Sequence, residues 1–328
     1  MLTIFPKFAH MEKLNQSVLL ALLLHTATVS AVDISSLVFF DLNGSTQEAI
    51  NPAFSVRRAY LDLREQLTDN ISFRLTTDSQ SSSDGKMEVF LKHAFVSWRT
   101  RLGEFMVGSQ PTNYFGPLQK TWGLRFIEKY PGNLHGFDDT ADLGISLRRV
   151  VGSDLLISVA VFNGTGFKKP ENDAYKRMSL LVSKGEQNLS RNTGHNFGIV
   201  GSVEPYGDWK DDVYLNYRYG GFAGFSNSQL RAGFDLQIEH DAGLDHQERI
   251  LAIYASLKRS EKISLFGRID LYDSSVDYPD MREHFVLLGM IYSPAANFQI
   301  APNVRYTFFG TDILEPYWAG RLSFQFRI

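Results

Sequence analysis

The 328-residue chain contains no cysteine. An exported fold built from it cannot rest on disulfides, and must hold together by backbone pairing and side-chain packing. Beyond its first 31 residues it also has no long apolar run, which excludes a spanning helix of about 20 such residues. An excess of one charge is missing too: 33 basic residues face 36 acidic ones, a formal −3. That balance implies no nucleic-acid partner. Paired-histidine helices and cysteine clusters are absent, so no metal site and no cofactor is expected.

The opening 31 residues differ from everything after them. Lys7 and Lys13 precede an apolar run from Val18 to Leu24, and the small residues Val29-Ser30-Ala31 close it. This is the order of a secretory signal cut after Ala31, so 1–31 reads as a signal peptide and 32–328 as the mature domain. The segment from Met11 is already a complete signal, so Met1 and Met11 both qualify as the start. Losing Lys7, Glu12 and Lys13 takes the formal charge to −4.

What the mature chain does have is aromatics, 25 Phe, 14 Tyr and 4 Trp, and a period of two. In Arg231-Ala232-Gly233-Phe234-Asp235-Leu236-Gln237-Ile238-Glu239 the apolar and polar sets fall on opposite faces of a strand. Leu143, Ile145 and Leu147 oppose Asp142, Ser146 and Arg148 in the same way. Such segments recur near 34–42, 54–63, 71–78, 88–98, 102–108, 141–149, 155–163, 175–184, 196–203, 212–219, 229–239, 249–258, 262–272, 282–292, 298–308 and 317–327. About sixteen strands, mostly of membrane-crossing length, predict an all-β transmembrane antiparallel up-and-down barrel. A mean hydropathy of −0.16 fits, because alternate residues face a wet lumen. A soluble sandwich or propeller is the rival; no propeller repeat is present, and several polar faces carry more charge than a packed core tolerates.

The connections alternate between short turns (Thr100-Arg101, 150–154, 259–261, 293–297) and longer loops (164–174, 240–248, 273–281). The stretches 185–195 and 220–228 break that alternation, being long for turns. The longest connection, 109–140, falls third among the outer loops. A loop of that length is commonly functional or folded inward. Its residues Lys120, Arg125, Glu128 and Lys129 are the candidates for a constriction. The face of strand 88–98 is ambiguous, because Phe90, Val96 and Trp98 oppose Val89, Leu91 and Phe95. The final segment, Tyr317 to Ile328, keeps Leu322, Phe324, Phe326 and Ile328 on one face, and it resembles the terminal strand that barrel-assembly machinery recognises, with Ile in place of the usual Phe.

Several phrases carry a family resemblance: Phe54-Ser55-Val56-Arg57-Arg58-Ala59-Tyr60-Leu61, then Ile71 to Asp78, Leu91-Lys92-His93-Ala94-Phe95-Val96-Ser97-Trp98, Leu102-Gly103 leading into the long loop, and Val161-Phe162-Asn163-Gly164-Thr165-Gly166. Together they resemble the phosphate-selective porin O and P family. The resemblance implies a sixteen-strand barrel in the outer membrane of a Gram-negative bacterium, often a homotrimer, with its third loop folded inward. Its partners would then be outer-membrane lipid, the barrel-assembly machinery and small inorganic anions or other small solutes.

The polar faces direct Arg58, Arg74, Arg148, Arg218, Arg231, Arg268, Arg305 and Arg321 to the lumen as pore-lining residues. Asp62, Asp78, Asp142, Asp235, Glu239 and Asp270 share those faces, so the charges can also largely cancel. Lys168-Lys169 is a doubled lysine in an outer loop, where a solvated tip explains it as well as a gate does. From these residues we expect a passive, water-filled diffusion channel, with anion or phosphate preference open.

Two other classes compete. A barrel lipid hydrolase needs a nucleophile, a base and an orienting group; of the histidines only His93 and His284 fall inside strands, and no Gly-x-Ser-x-Gly elbow exists, so no catalytic residue is assigned. A blocked structural or adhesive barrel shares the periodicity of an open one. Asp138, Asp139 and Asp142 read as a solvated acidic patch.

Overall fold

A computed structural model of the protein describes residues 32–46, 50–81, 86–207, 212–278 and 282–328, with backbone alone at 50–52. The expected signal, 1–31, and its expected cut after Ala31 lie outside the described residues. Sixteen strands follow one another: β1 (Asp33–Ser45), β2 (Ile50–Thr68), β3 (Ile71–Ser81), β4 (Met87–Arg99), β5 (Glu104–Pro111), β6 (Ala141–Val151), β7 (Leu155–Phe162) and β8 (Arg177–Gly185). Then come β9 (Gly194–Gly207), β10 (Val213–Ser226), β11 (Leu230–Asp241), β12 (His246–Lys258), β13 (Ile263–Asp273), β14 (Glu283–Ala295), β15 (Phe298–Phe309) and β16 (Tyr317–Arg327). Each pairs antiparallel with its neighbours, and β1 closes on β16 from Leu37↔Arg327 to Ser45↔Ala319. Closure leaves no strand edge unpaired, which is what a sheet in hydrocarbon requires. No helix among the described residues is long and apolar enough to cross a membrane.

The alternation fixes which residues meet which solvent. Leu143, Ile145, Val159, Val161, Met178, Leu180, Phe197 and Ile199 stand exposed on the outer face, whereas Asp142, Ser146, Ser158, Ser179, Ser183 and Asn196 between them are buried inside. Aromatic rings border the apolar band. Tyr306 stacks on Trp318 at 4.2 Å and His284 on Phe308 at 4.5 Å towards one rim, and Phe298 pairs with Phe324 and Phe326 towards the other. Phe298 and Phe308 are ten residues apart on β15, which on a strand tilted by about 40° gives a band of about 25 Å.

Two of the register shifts in the described ladders turn extra cations inward, and sequence periodicity alone does not locate them. In the β1–β2 ladder Phe39 faces Arg58 but Phe40 faces Val56, so Arg57 is the extra residue. Both Arg57 and Arg58 then point inward. In β3–β4 Thr76 faces His93 while Thr77 faces Leu91, which makes Lys92 the extra residue and buries Lys92 and His93 together. That bulge resolves the ambiguity of strand 88–98: Val89 and Leu91 face outward before it, Val96 and Trp98 after it.

Both ends of the strand run, Asp33 and Arg327, lie at the rim of short turns. β10 continues through 220–226 in register with β11, so that stretch is strand and its turn is tight. The 186–193 connection, by contrast, remains long. His195, His240 and His246 also prove to lie in strands.

Candidate functional site

The connection between β5 and β6 carries two short helices, α1 (Phe115–Trp122) and α2 (Pro131–Leu134). Pro117 sits in the first turn of α1 and Pro131 opens α2, positions where a missing N–H forfeits no helical bond. Gly123 caps α1 with φ +69°, a left-handed conformation that favours glycine, and a Cβ there would come within 2.8 Å of the Arg231 guanidinium.

This connection lies against inner faces from several sides of the barrel. The Tyr114 hydroxyl donates to the Arg218 carbonyl on β10 at 2.7 Å. Arg57 on β2 and Arg305 on β15 both donate to the Ile127 carbonyl, at 3.1 and 2.6 Å, and Arg268 on β13 donates to the Lys129 carbonyl. Thr112 donates to the Asp139 carbonyl at 2.7 Å, which closes the base of the loop. The eight-residue turn 186–193 meets it from the opposite rim. Asn196 donates to Thr121 and to the Glu186 carbonyl, and Leu189, 1 % exposed, fills the space that Gly224 leaves free.

One side of the loop is apolar. Trp122 meets Tyr254 edge to face at 5.3 Å, with the Arg268 guanidinium 5.3 Å over its ring and the indole N–H bonded to the Glu128 carbonyl. Leu118, Trp122, Phe126, Ile127 and Tyr130 join Tyr254, Phe266, Phe285 and Leu287 in a hydrophobic core within the barrel, on the β12–β14 side. Truncating such an aromatic costs about 3–5 kcal/mol, so the core fixes the loop firmly.

The other side is charged, and the charges segregate. Three guanidinia share two carboxylates: Arg57 is 2.9 Å from Asp41, Arg305 3.3 Å from Glu128, and Arg321 3.9 and 3.7 Å from Asp41 and Glu128. Burial alone would raise the Glu128 carboxyl, but Arg305, Arg321 and Arg57 outweigh it and hold the group at about 2. Arg58 and Lys92 share Asp78, and Arg64 and Arg74 share Asp62. Arg148 has Glu104 beside it, while Lys120 of the loop lies among Arg148, Arg191 and Arg74. Arg125 of the loop sits over the Phe115 ring and reaches Tyr60 and Asn133. The wall from β15 round to β6 thus carries more cations than acids.

The remaining wall is balanced or acidic. Arg177 pairs with Glu204 at 2.6 Å, Arg218 with Glu239 at 2.9 Å, Arg268 with Asp270, and Arg249 and Arg282 with Asp273. Arg231 packs beside Tyr254 and Gly123. Asp235 is buried on this side, and Asp142, on β6 where the two walls meet, is buried with Asp138 of the loop. Asp138 is no solvated patch, since Tyr130 donates to it and the Thr112 hydroxyl lies 3.1 Å from its carboxylate oxygens. Burial, with Asp139 beside it, pushes its carboxyl up to about 7.

All eight sequence-selected arginines therefore face inward, where Arg268 and Arg305 are nearly buried. Periodicity missed Arg57 and Lys92, and the signal that could have found them was the parity break in each strand. His93 contacts Thr76 and His135 contacts Asp270, neither of them a serine. Among the described residues no group of three or more His, Cys, Asp or Glu is placed to hold a metal.

No protein-family model matches this chain, and no curated protein does. Solved structures do. The fold is that of outer-membrane barrels. The outer-membrane channel DcaP of Acinetobacter baumannii superposes with a TM-score of 0.64 at 12% identity, over 90% of this chain and 96% of that one. An anion-selective porin from Comamonas acidovorans gives 0.64 at 11% identity, over 91% and 99%. The trimer form of OmpT, an outer-membrane protein of Vibrio cholerae, gives 0.62 at 12%, over 90% and 99%. At such identities the likeness speaks for the fold, a multi-pass antiparallel barrel.

Proposed function

We propose that the protein is a porin of the bacterial outer membrane, a non-enzymatic channel through which small ions and solutes diffuse passively, with a preference for anions. The observation that carries this reading is the segregated charge of the lumen. Arg57, Arg58, Arg64, Arg74, Lys92, Arg148, Arg305 and Arg321 line one wall with Lys120, Arg125 and Lys129 of the loop before them, against Asp41, Asp62, Asp78, Glu104 and Glu128. An anion that sheds part of its hydration needs cations and N–H donors nearby, and this wall offers both. Phosphate belongs to the solute class such a wall serves, and so do other small inorganic anions. The fold shared with the outer-membrane channel DcaP and with an anion-selective porin supports the channel reading.

The working form in this reading is a homotrimer seated in outer-membrane lipid, delivered by the barrel-assembly machinery. β5, β7 and β8 have 8, 8 and 9 residues against 11 in β6 between them and 14 in β10, so those three strands span about 20 Å, less than the apolar band of about 25 Å. A hollow of about 620 Å³ on the outer face, lined by Phe105, Ile145, Val159, Val161, Met178 and Leu180, lies on that low wall. A neighbouring copy would cover both.

Single-channel recording across a salt gradient tests the function. Discrete current steps with a reversal potential on the anion side support it; silence from folded protein moves the assignment to a blocked barrel.

A further inference from the structure

We infer that the long-loop mouth holds a binding site for an anion with a flat apolar group, of which an aromatic carboxylate is the simplest, built around Lys92 and the rings of Phe90, Phe115 and Phe167. The inference rests on the channel reading only in treating this ligand as a permeating solute.

The bulge in β4 drives Lys92 inward, where its ammonium lies 5.0, 5.2 and 5.5 Å from the ring centroids of Tyr60, Phe115 and Phe167. The side chain is 3% exposed, and its carboxylate neighbour Asp78 stands at 3.9 Å, beyond hydrogen-bond reach. Asp78 is already engaged by Arg58 at 3.0 Å. The β7–β8 connection reaches across to this point, with Lys168 donating to Gln80 at 2.8 Å and lying 5.4 and 5.8 Å from the Phe90 and Phe167 rings. Arg58, Lys92 and Lys168 therefore gather around one acid.

Rings and cations have different uses. Cations alone suffice for a small hydrated anion, and three ring faces around an ammonium only strip the water such an ion would keep. Phe90 and Phe167 meet edge to face at 6.2 Å and both remain half-buried, so ring surface stays open to the lumen. A carboxylate held by Lys92 and Lys168 together, which share the Phe167 ring, would place an attached ring against that surface. The doubled lysine at 168–169 acquires a role on this account that a solvated loop tip does not give it.

Calorimetry on the detergent-folded barrel tests this, with sodium benzoate as probe and sodium acetate as control. Benzoate should bind at least about tenfold tighter than acetate. Phe167→Ala should weaken benzoate about three- to tenfold, the range of one aromatic contact, and leave acetate unchanged. Lys92→Met, whose apolar chain suits the ring cage, should remove both. Equal binding of benzoate and acetate, or benzoate binding untouched by both Phe167→Ala and Phe90→Ala, would overturn the site. Bilayer recordings separate the two readings: absent steps remove the channel while calorimetry still decides the site, and normal steps with equal calorimetric binding of benzoate and acetate remove the site and leave the channel.

Discussion

Glu128→Gln makes the sharpest demand on the charge arrangement. Glu128 is buried with Arg305 at 3.3 Å and Arg321 at 3.7 Å, and with Asp41 it answers three guanidinia. A carboxyl held at about 2 in place of its ordinary 4.5 is stabilised in its charged form, by about 3 kcal/mol. The folded value is depressed, so this contribution is complete above pH about 4.5 and fades as pH falls through about 2. Glutamine keeps the shape and forfeits most of that energy, which should lower the thermal midpoint of the detergent-folded barrel at pH 7 while leaving the variant close to wild type near pH 2. The same change leaves three guanidinia on Asp41 alone. One added unit of positive field at about 8 Å from a passing ion, with an effective dielectric of about 40–80, is worth about 0.5–1 kcal/mol. That raises anion permeability about two- to fivefold and lowers cation permeability similarly. Reversal potentials in a salt gradient read the ratio directly. An unchanged or lowered anion-to-cation ratio in a folded Glu128→Gln barrel would refute the claim that this cluster faces the permeation path.

Arg305→Ala should move the ratio the other way, whereas Arg268→Ala, which strands the buried Asp270, should chiefly destabilise, by about 3–5 kcal/mol in thermal or denaturant unfolding. Leu189→Ala, emptying a site 1% exposed where the 186–193 turn meets the loop, should cost about 2–4 kcal/mol and raise open-channel noise; quiet traces at wild-type stability would show that the turn does not brace the loop. Selectivity should also follow pH. Asp138, raised to about 7, loses its negative charge as pH falls through that value, and Lys168, lowered to about 8 by burial and Arg58, loses its positive charge as pH rises through that one. Both push the anion-to-cation ratio down between pH 6 and 9. Asp138→Asn should flatten the lower part of that titration and Lys168→Gln the upper part. Because the chain has no cysteine, Met178→Cys on the low wall is a clean probe of subunit contact, expected to cross-link or to be shielded from a lipid-phase thiol reagent.

Much of this architecture was legible in the residues. Strand positions followed from the period of two, and faces from the same alternation, because one side of each strand meets lipid and the other a polar interior. What escaped were departures from strict alternation. A bulge adds one residue without altering composition, so Arg57 beside Arg58 and Lys92 beside His93 look in sequence like alternating neighbours. The run Gly220-Gly221-Phe222-Ala223-Gly224 resembles a turn, yet it is strand: Gly224 makes room for Thr121 and Leu189, and a Cβ on Gly220 would strike the Leu236 carbonyl at 2.3 Å. The pairing of loop charges was out of reach for another reason. Glu128 meets Arg305 and Arg321 across nearly two hundred residues of chain, and local pattern carries no information on that encounter. Asp138 looked solvated for the same reason, since its burial depends on Tyr130 and Thr112 folding back over it.

The central claim is that the barrel conducts, and that its basic wall chooses the ion. Single-channel current from the refolded barrel, residues 32–328, in a planar bilayer under a salt gradient tests both at once. The account predicts discrete steps with a reversal potential on the anion side, reduced in Arg305→Ala and increased in Glu128→Gln; a folded barrel that passes no current, or one that favours cations in all three proteins, would contradict it.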